Sequence, residues 1–81
     1  MQKTLHTRKY QRLAKWLKEQ RVAKGFTMRE LSNVMGTSHS FVGKTEQRER
    51  RLDVIEYIQY CEALQVSPLD GLKVVNGKSQ A

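Results

Sequence analysis

The sequence holds one cysteine, Cys61, so it can form neither an internal disulfide nor a cysteine-based zinc site. No apolar run approaches the roughly 18 residues of a membrane span. The opening Met1-Gln2-Lys3-Thr4-Leu5-His6 lacks the apolar stretch of a secretory signal. These absences fit a reducing cytoplasm and no membrane partner. Catalytic groups are equally scarce. His6, His39, one thiol and scattered carboxylates give no convergent set, which argues against an enzyme, a metal site or a bound cofactor. There is no internal repeat and no pair of alternating segments joined by a hairpin turn. A single proline, Pro68, leaves most of the chain free to be helical.

Acidic residues are few where basic ones are many. Through residue 51 the chain carries 13 lysines and arginines against 4 acids, and after it 2 against 4. A field this one-sided concentrates polyanions around the N-terminal part, although a merely soluble basic surface would carry the same charge. Eighty-one residues fit one domain with one modest core, leaving no room for a second, ligand-sensing unit.

Hydrophobic spacing marks five helices. From Arg8 to Lys24, Leu13, Trp16, Leu17 and Gln20 share a face while Lys9, Arg12, Lys15 and Lys18 fall elsewhere, and Gly25 stops the run. Thr27 and Glu30 have the spacing of a capping box opening a second helix over Met28–Met35, which ends at Gly36. Thr37-Ser38 offers a cap for a third helix reaching about Gln47, with Val42 and part of Phe41 inward. Asp53 and Glu56 open a fourth over Val54–Leu64, whose inward residues are expected to be Val54, Tyr57, Ile58, Cys61 and Leu64, with Val66 closing the core. Ser67-Pro68 opens a short fifth helix carrying Leu69 and Leu72. The expected domain is residues 8–72, with an arm over 1–7 and an extension and frayed tail over 73–81.

Two short helices hinged at a glycine make the geometry of a helix-turn-helix, whose second helix enters the DNA major groove. The run Gly25-Phe26-Thr27-Met28-Arg29-Glu30-Leu31-Ser32-Asn33-Val34-Met35-Gly36-Thr37-Ser38, followed by Val42-Gly43-Lys44-Thr45-Glu46, resembles the phage repressor and Cro-like (XRE) helix-turn-helix family. The likeness extends from about Leu13 to Leu69. It implies an all-α, five-helix, lambda-repressor-like domain that binds double-stranded DNA, with the motif formed by helices 2 and 3. Leu17, Leu31, Met35 and Val42 are the expected contacts between helices, and Ser32 must be small where two helices cross.

The resemblance carries base reading onto Ser38, His39, Ser40, Phe41, Gly43 and Lys44. Lys44 donates to guanine O6 and N7, His39 and Ser40 donate or accept, and an exposed Phe41 would touch a thymine methyl. Gly43 either permits close approach to DNA or is neutral, and the sequence does not choose. Phosphate contacts are expected from Thr27, Arg29 and Thr37 and from the cluster Arg48, Arg50 and Arg51. The family pattern also pairs an arginine late in the first helix with a glutamate near the end of the third, here Arg21 and Glu46. Three positions depart from it. Met28 replaces a glutamine that reaches a phosphate, a contact then either absent or made by Arg29. Ser32 replaces an alanine. Arg48 replaces a glycine, which either strains the turn or adds a phosphate contact.

The expected role is a bacterial or phage transcriptional regulator that represses by occupying an operator. Leu69, Leu72, Val74 and Val75 are the candidate homodimer surface. The same residues would serve an antitoxin-type module with a protein partner, and charge alone would serve a binder without sequence preference. Cys61, on an apolar helix face, reads as a buried structural thiol, and Trp16, Tyr57 and Tyr60 as core or interface.

Overall fold

The computed structural model describes residues 7–77. Their elements are α1 (Arg8–Ala23), α2 (Met28–Val34), α3 (Phe41–Glu46), α4 (Val54–Leu64) and α5 (Pro68–Val75), with no strand among them. No helix among these residues is long and apolar enough to cross a membrane. The arm proper, residues 1–6, and the last residues of the tail, 78–81, lie outside the described residues.

Local chemistry accounts for most helix starts. The Thr7 hydroxyl accepts from Tyr10 N at 3.2 Å. Thr27 with Glu30 and Asp53 with Glu56 close reciprocal capping boxes. Ser67 caps α5 ahead of Pro68 in the first turn.

The first four helices end on one device, in which two N–H groups beyond the helix return to its last carbonyls. After α2, Gly36 N donates to Asn33 O and Thr37 N to Ser32 O, each at 3.0 Å, with Gly36 at φ 71°. Gly25 closes α1 in the same way. Arg48 and Gln65 do so for α3 and α4 at φ 60° and 59°, where a side chain costs about 1 kcal/mol or more. The position expected to need a left-handed residue after the third helix therefore has one, and it is an arginine.

Leu17, Leu31, Val42, Tyr60, Cys61 and Leu64 form the fully buried centre, with Trp16, Phe41 and Tyr57 at its edge. Helix α1 packs along α5 and against α3, and α2 lies against α3 and α4. The buried face of α1 is Tyr10, Ala14, Trp16, Leu17 and Arg21. Leu13 and Gln20 are only half-buried. The true stripe includes an arginine, which hydropathy assigns to solvent. Val54, expected inward, is 74% exposed, because it is the first residue of α4 and that end of the helix overshoots the core.

Two further differences have direct causes. Helix α3 begins at Phe41, later than a cap at Thr37-Ser38 would start it, because Phe41 N donates to Ser38 O and holds residues 38–40 in a turn. Helix α5 runs past the boundary expected at Leu72, since Val74 packs on the core and the Arg12 guanidinium donates to Val75 O at 3.2 Å.

Of the glycines, Gly71 is the one whose place a side chain could not take without a clash, and the sequence did not single it out. A methyl group there would lie 2.8 Å from Trp16 Cζ3 and nearer still to the Tyr57 hydroxyl, which donates to Pro68 O at 2.5 Å. On a free helix surface Gly→Ala stabilises by about 1 kcal/mol. At Gly71 overpacking wins, and Gly71→Ala should instead cost about 1–3 kcal/mol in urea denaturation. A raised midpoint would show that α5 does not dock this closely.

Candidate nucleic-acid interface

The Arg21 Nε donates to Glu46 Oε2 at 2.6 Å and Nη2 to Oε1 at 3.2 Å, while Nη1 donates to Phe26 O at 2.8 Å. One guanidinium thus joins the end of α1, the turn before α2 and the end of α3. The pair is nearly dry, with side-chain exposures of 9% and 3%. Beside it the Tyr60 hydroxyl is buried without a partner among the described residues, and burial raises its pKa.

The start of α3 is held from α2. The Ser32 hydroxyl, fully buried, accepts from Val42 N at 3.2 Å, so it supplies the cap that Ser40 does not. The Thr37 hydroxyl donates to Ser32 O at 3.0 Å instead of capping the helix. The Met28 sulfur lies 3.4 Å from the position a Cβ on Gly43 would take, so the residue in the glutamine place packs on α3. An alanine would fit at Gly43 at ordinary contact distance, and Gly43 itself is half-buried.

Of the expected base readers, Ser38, His39, Ser40 and Lys44 are exposed together on the turn and the outer side of α3. Phe41 is not with them. Its ring is 8% exposed and packs against Tyr60 at a centroid distance of 6.0 Å, so it has little surface to offer a thymine methyl.

The cluster after α3 divides as well. Arg50 makes paired 3.1 Å hydrogen bonds to both Glu56 oxygens, and its guanidinium carbon lies 4.5 Å from the Phe41 ring centroid. These two hydrogen bonds, with a third from Asp53 N, hold the Glu56 carboxyl below the usual carboxylate range. Arg50, expected on a phosphate, is thus paired with Glu56 while about a third of its side chain stays exposed. The Tyr10 hydroxyl fixes the same loop, donating to Arg50 O and accepting from Leu52 N at 3.1 Å each. Arg29 and Arg51 are exposed and Arg48 is half-buried. The Thr27 hydroxyl is occupied by Glu30 N.

On α5, Leu69 and Leu72 are 65% and 51% exposed, and Val74 and Val75 are half-buried. Val54 and Ile55 add exposed apolar surface on α4, which packs against α5. Ile55 went unnoticed in the sequence, where it falls outside the apolar stripe of α4. Among the described residues no cluster of His, Cys, Asp or Glu is placed to hold a metal.

A family model described as helix-turn-helix matches residues 17–70. The chain belongs to the XRE-type helix-turn-helix family. An XRE-family-like protein from Pseudomonas syringae pv. tomato is 42% identical, with a TM-score of 0.81 over 91% of this chain and 90% of that one. The clp gene regulator ClgR from C. glutamicum is 26% identical, with a TM-score of 0.78 over 94% and 97%. No curated protein sequence matches. Membership makes this XRE-type chain a DNA-binding domain of the transcription-regulator class.

Removing one partner of a dry ion pair strands the other charge. Glu46→Ala should therefore cost about 3–5 kcal/mol of folding stability. Arg21→Met with Glu46→Leu should recover much of that, read from urea midpoints; a loss under about 1 kcal/mol in the single variant would mean that solvent reaches Arg21.

Proposed function

We propose that this protein is a sequence-specific, double-stranded-DNA-binding repressor that occupies an operator as a homodimer in the cytoplasm of a bacterial or phage-infected cell. The observation that carries this reading is a rigidly held α3 whose outer side is polar. The Arg21–Glu46 pair fixes one end of the helix and Ser32 the other, with Lys44 exposed between them and Ser38, His39 and Ser40 exposed on the turn that leads into it. A binder that used only its charge would need no such fixed orientation.

The basic residues divide by role in this reading. Lys44 meets base edges, while Arg29, Arg48 and Arg51 meet phosphates, joined by backbone amides near Thr27 and Thr37. The homodimer rests on the exposed Leu69 and Leu72, because one short helix reads few base pairs and two copies about 34 Å apart read a palindrome.

Selection of bound sequences from a random duplex pool at ~150 mM salt tests the reading, since specific binding should exceed non-specific binding there by ~10³ or more. An enriched inverted repeat is the expected result; no enrichment would leave a charge-driven binder or a protein-interaction module. On the enriched site Lys44→Ala should cost about 1–3 kcal/mol and flatten the preference. Arg48→Gly should weaken all sequences alike and lower the salt slope by about one. The same change should raise folding stability by about 1 kcal/mol, because it relieves the left-handed backbone. If Lys44→Ala and Arg48→Gly affect binding identically, α3 does not read bases.

Leu72→Asp places a charge on the candidate interface and should convert a sedimenting dimer to monomer with the fold intact. An unchanged sedimentation profile would remove α5 from the interface.

A further inference from the structure

Arg29 on α2 and His39 in the turn before α3 meet across the motif, with guanidinium Nη2 3.1 Å from imidazole Nδ1. Both side chains are exposed, and among the described residues the His39 ring makes no other hydrogen bond. A guanidinium has only donors and keeps its charge throughout the range in which proteins fold. The contact therefore requires a lone pair on Nδ1. A neutral imidazole with its lone pair there carries its hydrogen on Nε2. The opposite tautomer would set N–H against N–H, and the protonated ring would add a second positive charge beside the first. Of the three states of the ring, Arg29 is compatible with one.

Resting on the reading of α3 as the base-contacting helix, we infer that Arg29 is a positioning residue that fixes His39 as a hydrogen-bond donor through Nε2–H. Histidine is otherwise ambivalent as a base reader, since either nitrogen can donate or accept. Fixed in this form it selects a base edge that presents an acceptor, best met by guanine with O6 and N7 side by side, and it disfavours the cytosine amino group. Lys44 also only donates. The exposed readers are then two donors, with the hydroxyls of Ser38 and Ser40 left to accept.

The test has one arm without DNA and one with it. Long-range ¹H–¹⁵N correlation on the free, labelled protein at pH 8 reports which ring nitrogen carries the hydrogen, and loss of a ring signal in His39→Ala assigns His39. The wild type should show the Nε2–H form, Arg29→Ala a mixture, and Arg29→Glu, whose carboxylate only accepts, a shift to Nδ1–H. In sequence selection the wild type should show one position enriched in guanine and depleted in cytosine by roughly tenfold. That preference should vanish in His39→Ala, weaken in Arg29→Ala and turn toward amino-bearing bases in Arg29→Glu; the two Arg29 variants should also bind every sequence more weakly through the lost phosphate contact, while the relative preferences at the other positions hold. A wild-type ring divided between tautomers, or a preference untouched in Arg29→Ala, overturns the inference and leaves the DNA-reading role of α3 standing. Absence of enrichment in the wild type, with the ring in the Nε2–H form, overturns the base selection together with that role.

Discussion

A helix of six residues has no stability of its own in water, since nucleation costs more than its few internal hydrogen bonds return. The position of α3 is therefore set from outside, chiefly by the Arg21–Glu46 pair. Burying two charges brings little net stabilisation. What the pair supplies is geometry. Two donors on one carboxylate and a third on the Phe26 carbonyl define the distance and angle among α1, the turn before α2 and α3 at once. A hydrophobic contact of the same area would tolerate sliding, whereas a planar guanidinium facing a planar carboxylate does not.

The other end of α3 is held by devices of the same kind on a smaller scale. Ser32 sits at the crossing of α2 and α3, where only a small side chain fits, and its hydroxyl takes up a free N–H of α3. An alanine there would satisfy the packing and leave Val42 N buried without that partner, a loss of about 1–3 kcal/mol. Arg48 works in the opposite direction. Its left-handed backbone carries strain in the turn that closes α3, where a glycine would carry none.

Much of this was legible along the chain, because it depends on neighbours in sequence. The capping boxes at Thr27 and Asp53, the glycine turn at Gly36 and the Ser67-Pro68 start are each complete within four residues. The Arg21–Glu46 pairing came from family likeness, since nothing in the spacing of two charges 25 residues apart requires them to meet. Features made by residues distant in sequence escaped. Phe41 lies one place from the buried Val42, and only the position of Tyr60 and Arg50 shows that both turn inward. Arg50 looks like its neighbours until Glu56 is placed beside it. Gly71 reads as a weak helix residue until the Trp16 ring is against it. Ser32 was read for its size alone, because the N–H it accepts belongs to another helix.

The same distinction changes what the basic charge means. Total charge counts every lysine and arginine of the N-terminal part as available to a polyanion. Yet Arg21 is consumed in the core by Glu46, and Arg50 is paired with Glu56. Phosphate affinity depends on charges that can reach the backbone and release counterions, not on those already paired. The paired arginines act earlier in the chain of causes: they fix the scaffold on which the remaining cations are displayed. In a chain this small, with a core of about ten side chains, guanidinium groups take over orienting work that a larger protein leaves to packing.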